Sequence, residues 1–254
     1  MFLPSGRAPV SDFAPIVRIP PKSDNPSGAG EPPAFLSSRP VSKLIVTLDG
    51  PGGTGKSTVS RVVAHKAGLP HLDTGAFYRA ATLAVLDSGV DPSDGTEVLK
   101  VVSRARLAQE SGRMYLNGRD VSIEIREEEV TAAVSAVSAH PEVRKRLVDV
   151  QRAWAESHGG GVVEGRDIGS VVFPDATVKV FLDASPEVRA RRRALETGEA
   201  EAAVLEDLSR RDRLDSTRVA SPLIIPDGAV VIDTSDLTFD EVVDEVLVLI
   251  GAKS

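Results

Sequence analysis

From residue 44 onward the chain alternates short apolar runs with longer stretches of helical period. Leu44 to Leu48 (LIVTL) is almost wholly apolar and predicts a buried strand. Thr58 to Ala67 carries Val59, Val62 and Val63 on one face and is followed by Gly68, which predicts a helix with a glycine stop. Leu69 to Leu72 predicts a short second strand. Asp73 and Thr74 then offer N-caps for a helix from about Gly75 to Asp87, ended by SGVDPSDG. Three further apolar runs, Gly161 to Glu164, Val178 to Asp183 and Ala229 to Asp233, each end on an acid. Such runs suit parallel strands covered on both faces, and Phe239 to Ile250 predicts a closing amphipathic helix.

Between these core segments the pattern changes. LKVVSRARLA, then MYLNGRDV with its Asn-Gly hairpin signal, then two helices separated near Pro141 predict an inserted α+β module over 95–158, dividing a core of 42–94 and 159–254. Ser185 to Arg218 reads as two charged helices around a Thr197-Gly198 break, a short helical lid over about 189–218. Residues 1–41 hold nine of the seventeen prolines and no sustained hydrophobic period, which predicts a disordered tail. No internal repeat is visible.

Composition narrows the function. A net charge of −7 argues against coating nucleic acid by bulk charge, so any polyanion must be met by locally clustered arginines. The chain has no cysteine, which excludes disulfides and thiolate metal sites. His65, His71, His140 and His158 lack ligand-like spacing and read as structural or solvent-facing. No apolar run reaches the ~18 residues of a membrane span, and the N-terminus lacks the apolar block of a secretion signal. A cytoplasmic, monomeric enzyme with no nucleic-acid or membrane partner is the expectation.

The stretch Gly50 to Thr58 (GPGGTGKST) between a strand and a helix is a phosphate-binding loop, formed by Gly50, Pro51, Gly52, Gly53, Thr54, Gly55, Lys56, Ser57 and Thr58. Glycines let several N–H groups converge on one anion, and the helix opening there adds the positive end of its dipole. Lys56 supplies a mobile charge, and the Ser57 hydroxyl is the candidate metal ligand, for Mg²⁺ bridging two phosphates. The fold class is therefore α/β: a P-loop NTPase-type parallel sheet flanked by helices, with an inserted α+β module, to which the family resemblance described next assigns the binding of a nucleoside monophosphate.

LDGPGGTGKS, LDTGAFYR, VSIEIR, AVSAVSAHPEVR, VVEGRDIGSVVFPDA, VKVFLDAS and RRDRLDSTR occur in that order. On these strings the chain resembles the bacterial cytidylate kinases from about Leu44 to Ile250. The resemblance implies ATP as phosphoryl donor with Mg²⁺, and CMP or dCMP as acceptor. It implies that Lys56 holds the β and γ phosphates and that Arg166 with Asp167 belongs to the catalytic group. It gives Arg79 and Arg166 as clamps on the acceptor phosphate, with Thr74 near the acceptor. Ser135 and Arg144 are implied at cytosine, Arg218 also at the base, and Arg211 and Asp215 at the sugar. Cytosine's amino donor wants an acceptor, and its N3 and O2 want a cation; spacing alone would make Ser135 a small residue at a helix crossing and Arg144 an exposed charge.

Glu164 ends a core strand, so it or Asp167 is placed to hold the metal through water, with Asp49 a weaker candidate. Arg189 with Arg192 or Arg193 is expected to face ATP from one helix face, and Tyr78 to pack rather than stack. Glu127 to Glu129 read as a helix's first turn and Trp154 as a partly buried anchor. The competing readings are a related small kinase acting on UMP, dTMP or shikimate, a nucleotide-hydrolysing switch, and a catalytically dead binding module. No NKxD string supports a guanine switch.

Overall fold

The computed structural model describes residues 44–218 and 220–253. The tail predicted over 1–41 lies outside them. Five parallel strands form the core sheet: β1 (Leu44–Asp49), β2 (His71–Asp73), β6 (Gly160–Glu164), β7 (Val178–Asp183) and β8 (Val230–Asp233), side by side as β2-β6-β1-β7-β8. The first strand thus lies at the centre, Leu44 opposite Gly160 and Val46 opposite Val178. The chain leaves β1 past β6 toward β2 and later returns past β1 to β7. That reversal opens a crevice at the carboxyl ends of β1 and β6, where such sheets bind ligands.

Both faces of the sheet are covered, as the unbroken apolar runs require. On one face α1 (Lys56–Ala67) and α8 (Phe239–Gly251) pack Val59, Val63, Val243 and Val246 onto Val46 and Val180. The other face receives α2 (Thr74–Asp87) and α5 (Pro141–Ser157) through Phe77, Ala80 and Trp154 against Leu72 and Val163. Each fully buried aliphatic or aromatic side chain contributes about 1.5–3 kcal/mol.

The stretch between α2 and β6 folds as α3 (Gly95–Arg104), an antiparallel sheet of β3 (Leu107–Glu110), β4 (Arg113–Leu116) and β5 (Arg119–Asp120), then α4 (Glu128–Ala139) and α5. Asn117 and Gly118 join β4 to β5 with φ of 53° and 87°, the left-handed pair that a tight hairpin demands. A third apolar cluster, including Ala81, Val98, Val137 and Leu147, ties α3, α4 and α5 to α2.

After β7 come α6 (Pro186–Thr197) and α7 (Glu201–Ser216), separated at Gly198, whose φ of 76° caps α6. Their shared core is small: Ala190, Val204 and Leu208 are buried, with Ala194 and Leu205 against them. Several element starts differ from the sequence reading. β2 occupies His71–Asp73 rather than 69–72 and runs straight into α2, because the Asp73 carboxylate accepts the Ala76 N–H at 3.0 Å and so caps the helix at once. A single wide helical turn over Ile168–Val172 follows β6, and no periodicity announced it.

Candidate active site

The phosphate loop is bent by its glycines. Gly50 has φ of 142°, and a Cβ there would lie 2.0 Å from the Leu182 carbonyl oxygen on β7. Gly53 has φ of 82°, and a Cβ there would meet Arg189 at 2.9 Å. The first position therefore lets the loop pass over the sheet edge, and the second lets α6 close against it. Gly55 is the left-handed N-cap of α1, so the loop amides and the helix terminus face the same space. Thr58 and Val59 donate their N–H groups back to Gly55, which closes the first turn.

Within the loop Lys56 is buried, its Nζ donating to the Pro51 carbonyl at 2.5 Å and to Thr54 Oγ1 at 3.3 Å. Burial, then the charge of Arg166, pushes the Lys56 ammonium well below its ordinary value. An anion beside it would relieve both effects. Ser57 Oγ donates to Glu164 Oε2 at 2.7 Å, and Glu164 Oε1 lies 3.1 Å from His71 Nε2. Burial alone would raise the Glu164 carboxyl; the His71 and Ser57 hydrogen bonds and the Lys56 charge outweigh it and hold the group below its ordinary value.

Asp49, at the end of β1, accepts the backbone N–H groups of Ile168 and Gly169 at 2.7 Å each. Those two bonds occupy one site on each carboxylate oxygen and pin the turn that follows Arg166 and Asp167. Arg166 donates from Nη1 to the Gly50 carbonyl and from Nε to Asp215, both at 2.8 Å, so one guanidinium joins the loop to α7. Asp215 also pairs with Arg218. Asp167 pairs instead with Arg144 at 2.6 Å, both residues 3% exposed, and Arg144 stands over the Tyr78 ring with its guanidinium 5.0 Å from the centroid. Arg144 is therefore interior, where spacing alone would have put a surface charge, and Tyr78 serves both as packing and as its platform. Among the metal-holding candidates, Glu164 stands next to Ser57, while Asp167 and Asp49 are engaged elsewhere.

Several guanidinium groups converge opposite the loop. Arg79 donates to the Ile125 carbonyl at 3.1 Å and to Thr131 Oγ1 at 2.8 Å. Burial, then the charges of Arg211 and Arg126, lowers Arg79 to about 10. Arg211 is lowered by burial and then by Arg166, and Arg218, lowered to about 10, by burial and then by Arg144. Like charges crowded this way are stabilised by an anion placed among them. Thr74 is buried, its hydroxyl on the Glu164 carbonyl at 2.7 Å. Ser135 is half-buried on α4, its carbonyl accepting the Ser138 hydroxyl.

The α6 arginines divide. Arg189 is buried and donates to the Gly52 carbonyl at 3.1 Å and Asp212 at 2.6 Å. Arg192 turns to Thr234, donating to its carbonyl at 2.6 Å, and Arg193 pairs with Glu196 on the surface. Two further residues stand beside the site: Arg126, to which the sequence assigns no role, and His71, expected to be structural or solvent-facing and found on Glu164. Arg126 ends the quoted VSIEIR string and could have been noticed; a lone histidine two residues before Asp73 carried no signal.

A parallel sheet of this order with the phosphate loop after its central strand defines a P-loop NTPase-type α/β protein. The family model for cytidylate kinase matches residues 46–252. A cytidylate kinase of Mycobacterium leprae is 51% identical over 219 residues, covering 84% of this chain and 98% of that protein. One from Corynebacterium glutamicum is 50% identical over 224 residues, covering 85% and 97%, and one from Streptomyces avermitilis 47% over 223 residues, covering 85% and 96%. The chain belongs to the cytidylate kinase family. Its likeness to a crystal structure of a gluconokinase from Sinorhizobium meliloti is slighter, with a TM-score of 0.47 and 15% identity over 83% of this chain and 93% of that one.

Proposed function

We propose that the protein transfers the γ-phosphoryl group of ATP to CMP and dCMP, giving CDP or dCDP and ADP. Within a cytidylate kinase chain, the observation that carries this reading is the field of mutually repelling guanidinium groups, Arg79, Arg211 and Arg166 foremost, facing the phosphate loop. A single nucleotide-hydrolysing site would need the loop; two phosphate groups brought tail to tail need both halves.

In this reading the loop amides and Lys56 hold the β and γ phosphates, Lys56 exchanging the Pro51 carbonyl for phosphate oxygen. Arg79 and Arg166 hold the acceptor phosphate and neutralise charge on the group in flight, with Arg211, expected at the sugar, beside them; that is most of what phosphoryl transfer asks of a protein. Ser57 and Glu164 present hard oxygen donors side by side and suit Mg²⁺, which prefers few protein ligands beside phosphate oxygens. Bound there, Mg²⁺ would supply neutralisation of phosphate charge. Ser135 and Arg144 read the cytosine edge, Asp167 holds Arg144 in place, and Asp215 with Arg218 lies toward the sugar and base.

The α6–α7 pair serves as a lid, and its small core suits an element that moves. Arg189 acts at the loop from this lid; Arg192, turned to Thr234, would have to reorient to touch ATP. We read the enzyme as a monomer. No helix among the described residues is long and apolar enough to cross a membrane, and we read the enzyme as cytoplasmic.

A coupled assay of ADP release across CMP, dCMP, UMP, dTMP and shikimate tests the proposal. Uracil sets its O4 and N3–H against the wrong partners, at about 1–3 kcal/mol each. CMP should therefore exceed UMP by about thirtyfold or more in kcat/KM, each 1.4 kcal/mol being about tenfold. Equal rates on UMP, or rapid ATP loss without acceptor, would overturn it.

A further inference from the structure

The ordinary account of the metal site ends at the Ser57 hydroxyl. That hydroxyl has one proton, which must point away from a cation if the oxygen is to offer its lone pairs. Glu164 Oε2 takes the proton at 2.7 Å. Whether Glu164 keeps that orientation depends on its other oxygen, and Oε1 lies 3.1 Å from His71 Nε2. The carboxylate only accepts here, so Nε2 carries hydrogen. Ser60 agrees: its hydroxyl lies 3.3 Å from the Ser57 carbonyl as donor, which leaves its oxygen to accept from the same Nε2 at 3.0 Å.

His71 is itself held. It lies in β2, beside β6, with its side chain 13% exposed. Gln109 of β3 brackets the strand, its Nε2 donating to the His71 carbonyl at 3.1 Å and its Oε1 accepting the Asp73 N–H at 3.0 Å. The other histidines sit elsewhere: His140 reaches the Pro92 carbonyl, His158 stacks on Trp154, and His65 is exposed.

We propose that His71 is a positioning residue for the divalent cation: by donating from Nε2 to Glu164 it fixes the carboxylate that orients the Ser57 hydroxyl, so that the Ser57 oxygen faces the metal. The inference rests on the reading of Ser57 as a magnesium ligand. It adds a residue that touches neither nucleotide nor metal, and it makes the small sheet, through Gln109, a support of the phosphate loop. Partners of this outer kind alter metal affinity by about 10–100-fold when removed.

Calorimetric titration of ADP, with magnesium and with chelator, into wild type, His71→Leu, His71→Asn and His71→Gln tests it. Glutamine places an N–H donor near the position of Nε2; asparagine is too short and leucine has none. In His71→Leu and His71→Asn the gain in ADP affinity that magnesium brings should fall by about tenfold, with affinity for CMP and for metal-free ADP unchanged. His71→Gln should recover most of the gain. Undiminished magnesium dependence in the leucine and asparagine variants would overturn the inference. So would equal losses with and without magnesium, or a glutamine variant no better than asparagine. If His71→Leu does not fold, the asparagine and glutamine pair decides. A wild type whose ADP affinity ignores magnesium would take down the Ser57 reading itself, which separates the two failures.

Discussion

Removing the Arg144 guanidinium should damage the fold more than its place beside a substrate pocket suggests. Arg144 and Asp167 form an ion pair at 2.6 Å with side chains 4% and 5% exposed. Taking away one partner strands the other charge in the interior, at about 3–5 kcal/mol. Against a total stability of about 5–15 kcal/mol, Arg144→Met would shift the melting temperature down by about 6–20 °C for a domain of this size. Replacing both partners, in Arg144→Met with Asp167→Leu, exchanges a buried pair for apolar side chains and should return most of that loss. Recovery should stop short by about 1–2 kcal/mol, since the stacking on Tyr78 and the bond to the Ser138 carbonyl do not come back. The single tryptophan, Trp154, is 8% exposed and reports unfolding by fluorescence in a denaturant titration. A single variant within about 1 kcal/mol of wild type, or a double variant no more stable than Arg144→Met, would refute the reasoning, because either means that the pair is solvated.

Other consequences are as accessible. Arg166→Ala should lower turnover by about 10³-fold or more with circular dichroism unchanged; near-normal turnover would remove Arg166 from the transfer. Ser135→Ala should reduce the CMP to UMP efficiency ratio more than it reduces the CMP rate, and an unaltered ratio would count against that helix as the base reader. Burial, partly offset by the N–H groups of Gly169 and Ile168, raises the Asp49 carboxyl from 3.8 to about 6. The folded state then binds this proton more tightly than the unfolded state. The associated stability is full below about pH 4 and fades as pH rises through about 6, by about 3 kcal/mol in total. The stability difference between wild type and Asp49→Asn should change by roughly that amount between about pH 3 and about pH 7; a constant difference would exclude the mechanism.

What could be read from the sequence was local. The loop announces itself because Gly50, Gly53 and Gly55 each serve a backbone need within nine residues, and the core strands do because parallel strands are apolar throughout. The order β2-β6-β1-β7-β8 was not legible, since pairing depends on which helices cover which face. Spacing could not bury Arg144: its partner Asp167 arrives from another strand's end, and only the family resemblance pointed inward. His71 was invisible for the same reason, its two acceptors lying on α1 and β6. Arg192 shared a helix face with Arg189 by period, yet Thr234 beyond β8 captures it.

The central placement of β1 has a consequence for how the chain assembles. Its neighbours β6 and β7 come after the whole 95–158 excursion, so β1 emerges during synthesis with no strand beside it. The hairpins and helices of the excursion depend on near neighbours and can form early, whereas the sheet needs distant ends to meet. The phosphate loop, strung between β1 and α1, therefore has no flanking strands to hold it until β6 and β7 have been made, and a truncated chain ending before β6 would expose an unpaired apolar strand prone to aggregate.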